Sequence, residues 1–179
     1  TSITNLEFLL SKTSSDPVEI MAFLNKLYTA YDNEISNYPC LTKIKSIGSN
    51  YMICGGLFTD SEVNTSQIVL NYSLRILSIS KKLSENNESG KIDIDITLGV
   101  NTGGPITCGV LGRIRPAFDI AGEAVDIASK MNKYGLPGFI QISESTYNNV
   151  KYLNYNLKER GEIQINDIDT IKAYLVSDI

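Results

Sequence analysis

Histidine is absent from all 179 residues of this chain, and its absence removes several kinds of site at once. A serine–histidine–aspartate triad needs an imidazole as its general base, and many zinc sites need imidazole ligands. Cysteine is scarce as well, because Cys40, Cys54 and Cys108 are an odd number of thiols without the spacing of a metal site. We therefore expect neither histidine-dependent catalysis nor a histidine-ligated zinc site, and we predict free, buried thiols.

The chain also lacks a long apolar run and an excess of positive charge. No apolar segment approaches the roughly 18 residues that a transmembrane helix requires. The 16 Lys and Arg residues are outnumbered by 20 Asp and Glu residues, which leaves a net charge of -4. Domains that bind nucleic acids carry a basic surface stripe instead. We expect no membrane segment within these residues and no nucleic acid as a partner.

Two long helices are predicted from capping signals and apolar spacing. Asp16, Pro17 and Glu19 provide an N-cap, a proline at the first helical position and a carboxylate in the first turn. Apolar residues then recur every three or four positions from Ile20 to Ile35, so this helix is expected to bury one face. The same spacing predicts a second long helix over Glu62–Leu83.

Alternating apolar segments predict a sheet. Lys43–Ile47 and Tyr51–Leu57 flank a glycine turn and are expected to form a hairpin. Ile92–Val100 alternates strictly, and Pro105–Leu111 is interpreted as its hairpin partner. Other expected strands are Thr1–Phe8 (a strand end), Phe139–Ile142, Tyr152–Leu157 and Ala173–Val176, and other expected helices are Ala121–Met131 and Glu144–Val150. This order predicts one α+β domain over residues 1–179, with a mainly antiparallel sheet and helices on one face.

The segment after the Gly-Gly turn combines a strand pattern with a carboxylate. Ile106, Cys108 and Val110 fall on one side of the expected strand, which predicts a half-buried face. Asp119 lies further along, on a short apolar link between this strand and the next helix, with Phe118 and Ile120 as its neighbours. A carboxylate among apolar residues usually has a partner or a ligand, because burying it alone is costly.

Two stretches resemble the signatures of a known family. GVNTGGPITCGVLG (residues 99–112) followed by PAFDIAGEAVDIASKM (residues 116–131) is similar to the core signature of the class III nucleotide cyclases. Upstream, KIKSIGSNYMICGGL (residues 43–57) resembles the second signature of that adenylyl and guanylyl cyclase homology domain. The pattern is most like the second catalytic half of membrane adenylyl cyclases.

The resemblance implies a ferredoxin-like palm. In that fold the first strand precedes the position of Ser2, so most of this strand is expected to be missing here. The chain begins with Thr1, and we expect it to be a fragment of a longer protein. The implied location is a cytoplasmic domain, with a membrane-anchored parent as an open alternative.

Class III cyclases convert a nucleoside triphosphate to a cyclic nucleotide and pyrophosphate, using divalent ions held by two Asp residues. The positions that match these carboxylates are Ser2 and Ser49. A neutral hydroxyl offers Mg²⁺ neither charge nor bidentate oxygens. We therefore expect no metal to be held by this chain alone, and Mg²⁺ or Mn²⁺ to enter only through a metal-bearing partner domain.

The resemblance also implies a base-binding pair. Lys45 and Asp119 match the positions that select adenine, and guanylyl cyclases carry Glu and Cys there. A Lys donor and an Asp acceptor complement the edge of adenine. The alternative is a solvated strand lysine and a structural turn carboxylate.

The ribose and phosphate positions are altered. Asp126 matches the Asn that orients the ribose, and Lys130 matches an Arg that contacts phosphate. These two degenerate catalytic candidates lie four residues apart, so an ordinary ion pair on one helix is the favoured alternative. The last phosphate Lys matches the neighbourhood of Ile168, and Lys172 is the nearest cation in sequence.

Two functional hypotheses remain open. In the first, this chain is the purine-recognising half of an adenylyl cyclase site shared with another cyclase homology domain, which binds ATP and is active only in a heterodimer. In the second, it is an inactive pseudocyclase that dimerises or senses a nucleotide. The expected interface comprises Lys43–Leu57, Val100–Leu111 and Arg113–Phe118. A ferredoxin-like RNA binder is disfavoured, because the chain lacks the basic surface and paired aromatics of such sheets.

Overall fold

The structure, a computed structural model, describes residues 2–3, 16–58, 64–86, 94–164 and 170–177. The strands in these ranges are β1 (Ser2–Ile3), β2 (Leu41–Ile47), β3 (Asn50–Gly55), β4 (Ile96–Val100), β5 (Thr107–Leu111), β6 (Ala117–Ala121), β7 (Ile140–Ser143), β8 (Asn156–Gln164) and β9 (Thr170–Ser177). The helices are α1 (Pro17–Ile35), α2 (Thr65–Glu85), α3 (Glu123–Lys133) and α4 (Glu144–Val150).

The main sheet of the described chain has seven strands in the order β2-β3-β1-β4-β7-β9-β8. Within it β4 and β7 pair in parallel, and the other neighbouring strands pair antiparallel. Strands β5 and β6 form a separate antiparallel ribbon. The predicted α+β class with a mainly antiparallel sheet is confirmed. No helix in the described ranges is long and apolar enough to cross a membrane.

Helix α1 forms where its sequence signals place it. The Asp16 carboxylate accepts a hydrogen bond from the Val18 N–H at 2.9 Å, and Pro17 occupies the first turn. Tyr31 is fully buried on the inner face of the helix, and its hydroxyl lies 2.6 Å from the hydroxyl of Ser80 on α2. Helices α1 and α2 therefore cover one face of the sheet, called the core face here.

Helix α3 covers the opposite face of the sheet. A Cβ on Gly99 of β4 would lie 2.6 Å from the Ala128 carbonyl oxygen and would also collide with the backbone nitrogen of Asn132. Met131 of α3 is fully buried in a second apolar cluster with Ala173 of β9. Glycine at position 99 thus permits the backbones of β4 and α3 to pack in direct contact.

The predicted hairpin between Ile92–Val100 and Pro105–Leu111 is wrong. Strand β4 lies between β1 and β7, so no edge is left for β5, which pairs with β6 instead. All five residues of β5 are exposed, so the predicted half-buried face is wrong as well. The segment around Asp119, expected to be a link, and Ala121, expected to begin the next helix, belong to β6, the strand that completes this ribbon.

Three smaller expectations also change. The strand expected at Tyr152–Leu157 begins only at Asn156, and Tyr152 is 88% exposed. The three thiols are free, but Cys108 is exposed and the other two are only half-buried, because β5 has no layer over it. The expected strand at Thr1–Phe8 is described only as β1, and its remaining residues lie outside the described ranges.

We predict that Gly99→Ala destabilises the chain by about 2 kcal/mol, since the added methyl group overpacks the contact between β4 and α3. Urea unfolding followed by circular dichroism measures this difference. Gly109→Ala is the matched control, because a Cβ on that β5 residue meets no atom within 4 Å. Equal stability of the two variants would contradict the direct contact.

Candidate functional site

A shift in strand register separates two neighbouring lysines of β2. Lys43 lies opposite Ile53, whereas Lys45 lies opposite Met52, with the irregularity between them. Cross-strand partners share a face of the sheet, and Ile53 packs against the core. Lys43 accordingly reaches Asp32 on α1 at 2.7 Å, and Lys45 points away from the core face. Without this shift, residues 43 and 45 would share one face.

Lys45 meets Asp119 across 74 residues of sequence. Its ammonium group donates to both carboxylate oxygens of Asp119, at 2.8 and 2.7 Å. One of these oxygens also accepts the backbone N–H of Ile120 at 2.8 Å. The two charged side chains are 35% and 31% exposed, so the pair faces solvent. The structure therefore brings together the two residues expected to recognise a base.

Phe58 and Phe118 form an aromatic pair. Phe118 precedes Asp119 on β6, and its ring centroid lies 5.9 Å from that of Phe58. Phe58 is 68% exposed although it is a large apolar side chain. The sequence analysis missed Phe58; its signal is its place directly after the second family signature. Phe118 is half-buried, and it is next to Asp119 in the sequence of β6, where consecutive side chains point to opposite faces of the strand.

Asp126 and Lys130 lie on α3. Asp126 is exposed and Lys130 is half-buried, and no ion pair joins these two described residues. The favoured alternative, an ion pair within the helix, is therefore wrong. The structure does not bring either side chain to the Lys45–Asp119 pair by any contact. Residue 168 lies outside the described ranges, and Lys172 is an exposed residue of β9 opposite Glu162.

Asn101 fixes the start of α3, and the sequence analysis missed this role. Its side-chain amide donates to the Ala124 carbonyl at 3.0 Å, and its amide oxygen accepts from the hydroxyl of Ser143 at 2.6 Å. Ser145 donates to the same oxygen at 3.0 Å. Asn101 thus links the first turn of α3 to the start of α4. A detectable signal is its position in the core signature, two residues before Gly103.

The positions expected to hold metal ions lie side by side. Ser2 pairs with Asn50 across the sheet, and Ser49 occupies the preceding turn position between β2 and β3. Among the described residues, no group of three or more acidic, cysteine or histidine side chains is close enough to hold a metal ion. Two serines supply no negative charge to balance a divalent cation. The residues present therefore do not fit the divalent ions that the family resemblance implies.

A cavity of about 700 Å³ adjoins these positions but is not centred on the ion pair. Its lining includes Lys45 and Ser49 at one end and Ala128 of α3 further in, but neither Asp119 nor Asp126. It extends between β3 and β4, inside the sheet. We assign the candidate base site to the solvent-facing ion pair, and not to this internal space.

The family "Adenylate and Guanylate cyclase catalytic domain" matches residues 1–178 of the chain. The chain belongs to this family. The expected class III cyclase resemblance is confirmed.

Relatives of both nucleotide specificities are similar to this cyclase domain. It is 32% identical over 174 residues to soluble guanylate cyclase gcy-31 of Caenorhabditis elegans, covering 96% of this chain and 24% of that protein. It is 30% identical over 181 residues to adenylate cyclase type 9 of Gallus gallus, covering 97% of this chain and 13% of that protein. The chain therefore spans a quarter or less of the length of these relatives.

A solved structure with the same fold is the guanylate cyclase domain of RhGC from Catenaria anguillulae in complex with GTP. The two structures agree with a TM-score of 0.84 at 27% sequence identity, covering 98% of this chain and 92% of that chain. The cyclase fold is thus shared over nearly the full chain.

We predict that the pKa of the Asp119 carboxyl lies below its ordinary value, because the Lys45 hydrogen bond and then the Ile120 N–H stabilise its charged form. A carbon-detected NMR titration measures it. In Lys45→Met the pKa should rise towards that of a free aspartate. Lys43→Met, which breaks the neighbouring contact with Asp32, is the control and should leave Asp119 unchanged.

The lowered pKa of Asp119 also predicts that the stability of the fold depends on pH. Because the pKa is lower in the folded chain, the stabilisation from the pair is fully present above the ordinary aspartate pKa. This stabilisation is lost as the pH falls through the lowered pKa of Asp119. The difference in melting temperature between wild type and Lys45→Met should therefore shrink on acidification, and a constant difference would contradict the assignment.

Proposed function

We propose that this cyclase domain is the purine-recognising half of a two-domain adenylyl cyclase site, in which a partner domain holds the metal ions. The observation that carries the proposal is the bidentate contact between Lys45 and Asp119 on a solvent-facing surface. About a third of each side chain is exposed, and Phe118, which precedes Asp119 in the sequence of β6, packs against the ring of Phe58.

The donor and acceptor inventory of the pair suits adenine. The Lys45 ammonium has three N–H donors. Two of them are directed at the carboxylate oxygens of Asp119, so the third N–H remains for a ring nitrogen of the base. The carboxylate oxygen of Asp119 that does not accept the Ile120 N–H retains lone pairs for an exocyclic amine. Guanine presents a ring N–H and a carbonyl oxygen on the corresponding edge, which reverses both requirements.

The phosphate and metal functions are assigned to the partner. Ser2 and Ser49 provide no carboxylate, and Asp126 adds negative charge where the family places a neutral Asn. A triphosphate carries several negative charges and needs cations to bind and react. Because the residues at these positions do not suit a metal-bound triphosphate, we assign base selection to this chain and the divalent ions to the partner.

The β5–β6 ribbon supports a protein partner. Ile114 at its tip is 95% exposed, and Val110 and Leu111 on β5 are each more than 60% exposed. Arg113 and Arg115 flank this apolar tip. Apolar residues with arginines at their edge are a typical composition for an interface. The proposed occupant is a second cyclase homology domain.

A catalytically inactive pseudocyclase is the second candidate function. The observation that favours it is the same pair of serines at the metal positions, combined with Asp126 and Lys130 at the ribose and phosphate positions. In this alternative the ion pair and the exposed ribbon serve nucleotide sensing or dimerisation.

We predict that the purified chain alone makes no cyclic AMP from ATP with Mg²⁺ or Mn²⁺. Mixing it with a cyclase domain that carries both metal carboxylates but lacks the Lys–Asp pair should restore synthesis, measured by cyclic AMP immunoassay. Ile114→Asp should abolish this gain, because a charge enters the proposed apolar contact. Glu19→Gln, which changes an exposed residue at the start of α1, is the matched control.

The outcomes separate the two candidate functions. Synthesis that needs both domains supports the shared site. Association without synthesis, seen by sedimentation with every metal-bearing partner tried, would favour the pseudocyclase. Synthesis by the isolated chain would contradict both.

We predict that Lys45→Glu combined with Asp119→Cys changes the ATP to GTP preference of the reconstituted site by about tenfold or more, since a single misplaced hydrogen bond to a charged group costs over 1 kcal/mol. Competition between the two nucleotides in the same assay measures the ratio. The control is Lys43→Glu, which alters a neighbouring lysine on the core face. An unchanged ratio in the double variant would remove the adenine assignment.

A further inference from the structure

The face of β4 and β7 that lies under α3 carries buried polar side chains. The residues of these strands that point to the core face are apolar: Ile96, Leu98, Val100, Ile140 and Ile142. Between them lie Gly99 and three buried polar residues, Thr97, Gln141 and Ser143, called the polar strip here. A strand covered on both faces is usually apolar on both. Buried polar groups are almost always hydrogen-bonded, so the partners of the polar strip show what it does.

The strand register places the polar strip against α3. Gly99 touches the backbone of α3, and Gln141 is the partner of Gly99 on β7. Ser143 pairs with Ala173, which shares the second apolar cluster with Met131 of α3. Paired residues of neighbouring strands point to the same face of a sheet. Gln141 and Ser143, two residues apart on β7, therefore both face the helix.

The polar strip holds α3 near both of its ends. At the last turn the Gln141 amide nitrogen donates to the Met131 carbonyl oxygen at 3.0 Å. At the first turn the strip acts through Asn101, whose amide donates to the Ala124 carbonyl and accepts from the Ser143 hydroxyl. Hydrogen bonds depend steeply on distance and direction, whereas apolar contacts do not. The polar strip therefore fixes the position of α3 along the sheet more sharply than apolar packing would.

Arg160 determines which way the Gln141 amide points. Arg160 lies in β8 at an irregularity in the pairing of this strand with β9. Its guanidinium donates to the side-chain oxygen of Gln141 and to the Tyr134 carbonyl at the end of α3. A guanidinium has donors and no acceptor, so it selects the amide oxygen and leaves the amide nitrogen for Met131. A cation is also favourable beside the carboxyl end of a helix.

The position of α3 is passed on to the base site. Gly122 is the single residue between β6 and α3, and it is closely packed: a Cβ there would lie 3.1 Å from the Pro105 carbonyl oxygen. A displacement of α3 therefore moves β6, where Asp119 accepts from Lys45 at 2.8 and 2.7 Å. A shift of about 1 Å is enough to weaken hydrogen bonds of this length.

We propose that Gln141 is a positioning residue of the base site. It holds the last turn of α3 through the Met131 carbonyl, and it thereby fixes the distance between Asp119 and Lys45. Arg160 contributes by orienting the Gln141 amide. The use of this placement in base selection rests on the proposed function, whereas the placement itself depends only on contacts within this chain.

The first test replaces Gln141 by leucine, which keeps most of the buried volume and removes both hydrogen bonds. The pKa of the Asp119 carboxyl should rise towards its ordinary value, because the Lys45 contacts that lower it lengthen. A carbon-detected NMR titration of the full chain measures this pKa.

The control for this test is Ser80→Ala. It removes a buried hydroxyl that bonds Tyr31 between α1 and α2, on the core face. This variant should also lose stability, but the pKa of Asp119 should stay unchanged. An unchanged pKa of Asp119 in a folded Gln141→Leu chain overturns the proposal, and so does an equal rise in the Ser80→Ala chain.

The second test uses Arg160→Met, which changes a half-buried side chain on an edge strand and leaves Gln141 in place. The pKa of Asp119 should rise by less than in Gln141→Leu, since the amide can still reach Met131 in some orientations. The two changes combined should raise the pKa by less than the sum of the single effects, because Arg160 acts through Gln141. Additive effects overturn the proposed role of Arg160.

The third test measures base selection in the reconstituted two-domain assay. Gln141→Leu should lower the preference for ATP over GTP by about threefold, the size expected when one hydrogen bond to the base is weakened. Ser80→Ala should keep the wild-type ratio. A raised pKa of Asp119 together with an unchanged ratio supports the positioning role and counts against the proposed function. An unchanged ratio together with an unchanged pKa overturns the positioning role itself.

Discussion

The direct contact between β4 and α3 at Gly99 is the constraint on which the rest of the site depends. Any side chain at this position would collide with the backbone of α3 at Ala128 and Asn132. Helix α3 follows β6 after a single residue, Gly122, whose φ of 142° is a conformation that glycine adopts readily. The contact therefore positions β6 as well, and with it Asp119. Asn101, directly after the end of β4, reinforces the arrangement through its hydrogen bond to the Ala124 carbonyl.

The register shift between the two lysines of β2 gives them different partners. Lys43 and Tyr51 both contact the Asp32 carboxylate, at 2.7 Å each, and so attach α1 to the β2–β3 hairpin. Lys45 instead pairs with Asp119 where about a third of each side chain remains exposed. Exposed ion pairs contribute little to stability. The Lys45–Asp119 pair therefore adds little to stability, and its main effect is to hold a hydrogen-bond donor and an acceptor in fixed orientations.

Family membership and the altered site residues carry different information. The cyclase fold extends over residues 1–178 and is shared with relatives of both nucleotide specificities. The fold itself thus leaves the base undecided, and our proposal assigns that choice to the side chains of Lys45 and Asp119. The serines at positions 2 and 49 change another part of the chemistry, the charge available to a metal ion. A domain can lose one of these functions and keep the other, because they use different side chains.

Sequence signals determined those helices and strands that depend on contacts between residues close together in the chain. The Asp16 cap and the apolar spacing after it predicted α1, and the motifs predicted that Lys45 and Asp119 belong together. Only the tertiary structure decided how these two residues, 74 positions apart in sequence, come within hydrogen-bonding distance. It also decided that β5 pairs with β6, that Cys108 is exposed and that α3 crosses the second face of the sheet. The physical reason is that alternation predicts a strand but not its neighbour, since pairing and burial depend on which sheet edges distant segments leave free.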